Sequence, residues 1–295
     1  MPWLRPLLLG AVAVTVAALD ITAAATSGGA TAAGGSAPVV AVSSPAAAPA
    51  GTTAKPAPPP APVTLWVAVP AANVWDKLSH VRRVDRPSMG EHPDLRRWVR
   101  SQTYRQRLAL GVRLMTQALK GEPVVLLGTR GNWAKVRVVD QRGSVYRTGI
   151  IGWVQRAQLA AHPVKAAVLH LPARGASVIR AARAYQGSTY VFGGMTRAGI
   201  DCSGLTYQAA LAVGVRLPRD AADQSRVGRV VRRSALRPGD LVFFGPGGRS
   251  SIHHVGIYVG GGRILHAPHT GSTVRVTKLT AFHDYWGARR IVPAG

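Results

Sequence analysis

One cysteine and two histidines twelve residues apart carry the chemistry of this chain. Cys202 follows Asp201 at the head of an apolar, helix-forming run that continues through about Val213. Aspartate is a preferred helix N-cap, so Cys202 is expected in the first helical position. There the helix dipole and free N–H groups favour an anion, and a thiolate becomes a nucleophile. The same N–H groups can receive the oxyanion of a tetrahedral intermediate. Such a nucleophile needs a base, and histidine is the usual one.

His254 opens His254-Val255-Gly256-Ile257-Tyr258, and His266 closes Arg263-Ile264-Leu265-His266. The glycines at 260–262 make a tight hairpin between the two runs. Neighbouring antiparallel strands can set His254 beside His266, one imidazole as base and the other orienting it. His253 would point to the opposite sheet face and is read as structural or exposed. This chemistry needs no metal or organic cofactor. The lone cysteine excludes an intramolecular disulfide and a multi-cysteine zinc site, and no standard glycine-rich phosphate loop is present.

The elements that must position these residues fall into two blocks. In the second, 175–295, Ala176 to Gln186 has helical apolar spacing at Val178, Ile179, Ala182 and Tyr185. After the Cys202 helix come strand candidates Asp240–Phe244, His254–Val259, Arg263–Ala267 and Thr273–Val276. Helices first and sheet afterwards argue an α+β class. The first block, 63–162, opens with alternating Thr64-Leu65-Trp66-Val67-Ala68-Val69 and continues into a candidate helix from Asp94 to Leu110. Short strand candidates follow at Pro123–Leu127, Trp133–Val139 and Ile150–Val154, punctuated by glycines, as in a small β-barrel. Trp133 and Trp153 are read as core or barrel-rim residues.

The 295 residues carry 37 Lys+Arg against 12 Asp+Glu, a net charge of +25. A surface this basic holds polyanions, whether nucleic acid, anionic membrane or acidic wall polymer. With 47% hydrophobic residues, a packed core is available and global disorder is excluded. Residues 1–25 read as a secretory signal, with Arg5 before the charge-free run Leu7–Leu19 and Ala23-Ala24-Ala25 as a cleavage site. Residues 26–62 are nearly all Ala, Pro, Gly, Ser and Thr and read as a disordered linker. The expected location is therefore secreted, in the cell wall or outside the cell.

The strings Tyr190-Val191-Phe192-Gly193-Gly194, Gly199-Ile200-Asp201-Cys202-Ser203-Gly204-Leu205, Leu217-Pro218-Arg219-Asp220 with Gln224, Arg237-Pro238-Gly239-Asp240, His254-Val255-Gly256 and Leu265-His266-Ala267 resemble, in order, the NlpC-type papain-like cysteine peptidases of bacterial cell walls. The match covers about 180–292. The resemblance implies a triad of Cys202, His254 and His266, with Tyr190 near the oxyanion. It implies hydrolysis of peptidoglycan stem peptides at the bond between γ-D-glutamate and the diamino acid. Asp201, Ser203 and Asp220 match positions that hold substrate in relatives. Their plainer readings are helix cap, first-turn polar residue and turn former; Asp240 is read as a turn residue.

The first block, through Gly131-Asn132-Trp133 and Gly152-Trp153-Val154, resembles a bacterial SH3-like domain. With Asp85, Leu95-Arg96-Arg97-Trp98 and Thr116-Gln117-Ala118-Leu119-Lys120-Gly121-Glu122, it is similar to that of γ-D-glutamyl-L-diamino acid endopeptidases. Those enzymes favour stem peptides with a free N-terminal L-alanine, whose ammonium an acidic residue near the Asp85 position would receive. Lys120 stands where an aromatic is expected and Phe192 where a tryptophan is. A lysine there would repel the ammonium, so intact wall peptide stands as the other substrate.

Other readings remain on the same residues: an N-acetylmuramoyl-L-alanine amidase or acyltransferase, or a catalytically silent wall-binding protein. Nucleic-acid binding is not expected, because the arginines are scattered rather than clustered in one recognition segment. The expected partners are stem peptides and anionic wall polymers, and the expected state is a monomer.

Overall fold

A computed structural model describes residues 61–293. The expected signal (1–25), and the expected linker up to residue 60, lie outside the described residues. In chain order the first part contains β1 (Thr64–Val67), β2 (Ala71–Trp75), α1 (Leu95–Ser101), α2 (Tyr104–Leu108), β3 (Leu114–Leu119), β4 (Pro123–Arg130), β5 (Trp133–Val138), β6 (Ile150–Gln155) and β7 (Leu159–Ala160). Its strands form one antiparallel seven-stranded sheet in the order β3-β2-β6-β5-β4-β1-β7.

Alternation along the strands builds its core. Ala134, Val136 and Val138 of β5 are buried on one face, and Ile150, Gly152 and Val154 of β6 join them. Valines buried this way contribute about 1.5–3 kcal/mol each. The other face carries a second cluster in which Trp75, Leu95, Trp98 and Val99 bury together and the partly exposed Trp133 and Trp153 pack at the edge. Val191, from the second part of the chain, lies in the same cluster. α1 is therefore an apolar wedge between the two halves.

The single helix expected from Asp94 to Leu110 is two helices. Asp94 caps α1 by accepting from the Arg97 N–H at 2.8 Å. Thr103 then restarts the chain with a capping box: its hydroxyl accepts from the Gln106 N–H, and the Gln106 side chain accepts from the Thr103 N–H. A Thr-x-x-Gln pattern inside a stretch of helical periodicity marks a second helix start. The helical spacing on both sides of Thr103 conceals that start.

The second part contains α3 (Gly175–Arg183), β8 (Met195–Thr196), β9 (Gly199–Ile200), α4 (Cys202–Leu211), α5 (Ala221–Gln224), β10 (Arg229–Val231), β11 (Leu241–Phe244), β12 (His254–Gly260), β13 (Arg263–His266), β14 (Arg275–Lys278) and β15 (Tyr285–Arg290). Six of these strands form an antiparallel sheet ordered β10-β15-β11-β12-β13-β14. Nearly every residue of α4 is buried, as expected for a helix enclosed by its domain. Leu205 and Ala209 of α4 share a cluster with Phe243, Val255 and Ile257 of the sheet. The fold is papain-like, antiparallel sheet with packed helices, and it presses the start of α4 against the start of β12.

Candidate active site

Asp201 adopts an extended backbone conformation and caps α4, its Oδ1 accepting from the Gly204 N–H at 2.6 Å. Cys202 occupies the first helical position, as its sequence context predicts, and is buried. Glycine is required around it. A Cβ on Gly204 would lie 2.4 Å from the Gly194 carbonyl oxygen, so only glycine lets that loop cross the helix start. Gly193, at φ +75°, turns its N–H onto Asp201 Oδ2 at 2.7 Å.

The thiol differs from expectation. Burial, and then the Asp201 carboxylate, push Cys202 up to about 12, outweighing the backbone N–H groups of Val255 and Ser203 and the charge of Arg219. The helix terminus alone would favour a thiolate. Here desolvation is the larger effect, and the resting sulfur keeps its proton. The Val255 N–H is near enough to the sulfur to favour its anion, which places that sulfur beside the residue following His254.

β12 and β13 form the expected hairpin, with Tyr258 opposite Ile264 and Ile257 opposite Leu265. His254 and His266 are diagonal neighbours across it, and Nε2 of His254 lies 2.8 Å from Nδ1 of His266. Nε2 of His266 lies in turn 2.9 Å from the hydroxyl of Thr277 on β14. Of the two proton arrangements these distances allow, the one that makes His254 a base has His254 donating from Nε2, His266 accepting at Nδ1 and donating from Nε2, and Thr277 accepting. That leaves Nδ1 of His254 with a free lone pair. Burial, and then the charge of His266, hold His254 down to about 3. Burial, and then the charge of Arg275, hold His266 down to about 4. Phe282 accounts for much of the dryness, stacking on His254 at 13° between ring planes and meeting His266 edge-on. His253 faces the other way, its ring 2.7 Å from Asp284.

Tyr190 lies close enough to Cys202 and Asp201 for their charges, after burial, to raise its hydroxyl well above the ordinary tyrosine value. It remains a hydrogen-bond donor. Asp201 and Ser203 are committed inward. The guanidinium of Arg219 grips both Asp201 oxygens, at 3.1 and 2.7 Å, and donates to Ser203 Oγ at 2.8 Å. Asp220 is exposed and caps α5 without a side-chain hydrogen bond, so its carboxylate is open. Phe192 is exposed, its ring against Gly111. Asp240 closes its turn by accepting from the Arg237 N–H and pairs with Arg290.

Two expected substrate residues stand elsewhere. Asp85 is fully buried, and its carboxylate is answered by the Arg82 backbone and guanidinium and by Trp98 Nε1 at 2.9 Å. It is an internal ion pair that anchors α1, not an open acceptor. Lys120 is exposed on a cavity of about 820 Å³ between the β3–β4 turn, residues 164–169 and the outer faces of α3 and α4. Cys202, His254 and His266 do not line that cavity. Arg219, Thr277 and Phe282 were missed as site residues. Arg219 was visible only as part of the Leu-Pro-Arg-Asp string, and the other two sit in stretches without any motif.

A buried thiol at a helix start beside a two-histidine hairpin defines the class of papain-like cysteine peptidases. The chain belongs to the NlpC/P60 family, whose model matches residues 187–292. It is 29% identical to the γ-D-glutamyl-L-lysine dipeptidyl-peptidase of Bacillus subtilis (strain 168) over 270 residues, 71% of this chain and 91% of that one. It is 35% identical over 112 residues to the "Probable endopeptidase NlpC" of Escherichia coli (strain K12), 37% of this chain and 73% of that one. The crystal structure of an NlpC/P60 family protein from Bacillus cereus ATCC 10987 superposes with a TM-score of 0.72 at 25% identity, covering 78% of this chain and 100% of that one.

Proposed function

We propose that this chain is a secreted endopeptidase that hydrolyses peptidoglycan stem peptides at the γ-D-glutamyl–diamino acid bond. The observation that carries the reading is the 2.8 Å pairing of His254 with His266, which orients a free imidazole nitrogen at the strand beside Cys202. The similarity to dipeptidyl-peptidases named for the γ-D-glutamyl-L-lysine bond supports the choice of bond. The first block, 63–162, is read as an SH3-like unit beside the catalytic block, 175–295.

In the reaction, His254 Nδ1 takes the thiol proton as the sulfur attacks the γ-carbonyl carbon. The resting pair is neutral, so this transfer accompanies attack rather than preceding it. The oxyanion is received by the N–H groups at the start of α4 and by the Tyr190 hydroxyl. The imidazolium then protonates the leaving amine, giving a thioester to the glutamyl carbonyl. Water, deprotonated by His254, releases the acid and restores the thiol. His266 accepts from His254 Nε2 throughout and shares its positive charge with Thr277 behind it.

With Asp85 neutralised by Arg82 and Lys120 on a separate cavity, the reading does not require a free N-terminal L-alanine. Digestion of intact sacculi, followed by mass spectrometry, is expected to yield fragments with a new diamino-acid N-terminus. Cys202→Ala and His254→Ala are each expected to abolish them while the thermal melt persists. Cleavage by folded Cys202→Ala, or release of free lactyl-muramic acid in place of those fragments, would overturn the assignment.

A further inference from the structure

We propose that the first sheet is part of the nucleophile's machinery, and that Thr116 on β3 is a positioning residue acting on Cys202 through Arg219 and Asp201. The proposal rests on the reading of Cys202 as the nucleophile.

Arg219, Asp201, Thr116 and Gln141 are all buried. The Nε–H of Arg219 donates to Thr116 Oγ1 at 2.9 Å, across 103 residues of sequence. A hydroxyl has one proton, and Thr116 gives it to Gln141 Oε1 at 2.6 Å. Its lone pairs are thereby turned to the guanidinium. Gln141 is fixed in turn, its amide donating to the Gln117 carbonyl and to Glu122 Oε2, both at 2.9 Å. With Nε held by the first sheet, the rest of the fork meets Asp201 and Ser203. A planar, bidentate guanidinium has little freedom once three of its directions are set.

Asp201 has two opposed effects on the thiol. It caps the helix on which Cys202 stands, and its negative charge raises the thiol, while the charge of Arg219 lowers it. How much of the Asp201 charge the sulfur feels depends on where Arg219 sits. The charges acting on the sulfur are Asp201 at the head of α4 and Arg219 from the turn before α5, with the Tyr190 hydroxyl beside them; His254 on β12, backed by His266, directly precedes Val255, whose N–H lies near the sulfur. Thr116 is the only group from the first sheet that touches this set through a side-chain hydrogen bond to Arg219 among the described residues. Losing it leaves a buried N–H without an acceptor, a situation the fork relieves by shifting. The compensation of Asp201 then weakens.

The test is alkylation of the full chain with iodoacetamide from neutral to alkaline pH, followed by intact mass; a single cysteine makes the label unique. Thr116→Val is expected to move the rate profile to higher pH, slowing labelling roughly tenfold at a fixed pH on its rising limb. Thr116→Ser is expected to restore it. A Thr116→Val protein that melts at a lower temperature but labels with the wild-type profile would make Thr116 merely structural and overturn the proposal. Should Thr116→Val not fold, Gln141→Met frees the same hydroxyl and is expected to shift the profile in the same direction; a wild-type profile there overturns it equally. Labelling needs no peptidoglycan. Failure of the wild-type chain to cleave sacculi, with a shifted Thr116→Val labelling profile, therefore counts against the proposed function alone, whereas wild-type cleavage with an unshifted Thr116→Val profile counts against this inference.

Discussion

At the scale of single residues, the proposed mechanism makes the site a relay of defined proton positions. His254 can act as a base only if its proton is on Nε2, and that requires His266 to accept at Nδ1. His266 accepts there only while its own proton is on Nε2, answered by Thr277. Thr277→Val removes that answer without changing shape. His266 is then expected to move its proton to Nδ1, facing that of His254. A lost, partly buried hydrogen bond of about 1–3 kcal/mol corresponds to a fall of roughly fivefold to 150-fold in kcat. KM should hold and Thr277→Ser should recover the rate; equal kcat in wild type and Thr277→Val would remove Thr277 from the relay. Cys202, His254 and His266 were legible in the sequence because cap, helix start and hairpin are local patterns. Thr277 was not, because a threonine in a strand has no signature until its neighbour across the sheet is known. The protonated thiol was not legible either. The helix terminus is written locally, but desolvation is a property of everything packed around it.

At the scale of elements, the start of α4 depends on a backbone crossing. The Gly194 carbonyl passes where a Cβ of residue 204 would stand. Gly204→Ala forces either the loop or the helix to move, and overpacking of this kind costs about 1–3 kcal/mol. A lowered melting temperature together with slower Cys202 labelling is the expected pair of outcomes. An unchanged melt would show that the crossing has slack. Element boundaries were the least readable part of the sequence: the run from Asp94 to Leu110 has helical periodicity throughout, yet Thr103 and Gln106 split it. Asp85 illustrates a deeper limit. Its type was apparent, but its partners Arg82 and Trp98 were not, and they convert an open carboxylate into an anchor for α1.

At the scale of the molecule, two opposed titrations bear on stability. Glu122 is raised from 4.5 to about 7, chiefly by burial. As pH rises, the unfolded chain loses this proton first, so the stabilisation is present below 4.5 and lost by about 7. His254 and His266 are lowered from 6.5 to about 3 and about 4. As pH falls, the unfolded chain gains these protons first, so their contribution is present above 6.5 and lost toward those lower values. Glu122→Gln keeps an acceptor for Leu119 and Gln141 and removes the first titration alone. Its melting temperature should rise relative to wild type as pH increases from 4.5 to 7; parallel profiles would contradict the assignment.

The same connections bear on the stretch that joins the halves. Residues 165–170 are exposed and carry no regular structure, while Leu171 re-enters the fold through its N–H to Ala212. Thr116 with Arg219, Gln117 with Met195 and Ser144 with Asp223 hold the two sides together independently of that stretch. A protease that nicked it would therefore sever the polypeptide without parting the fragments. They would migrate as one particle under native conditions and separate only in denaturant, so covalent continuity and working assembly are separate properties of this protein.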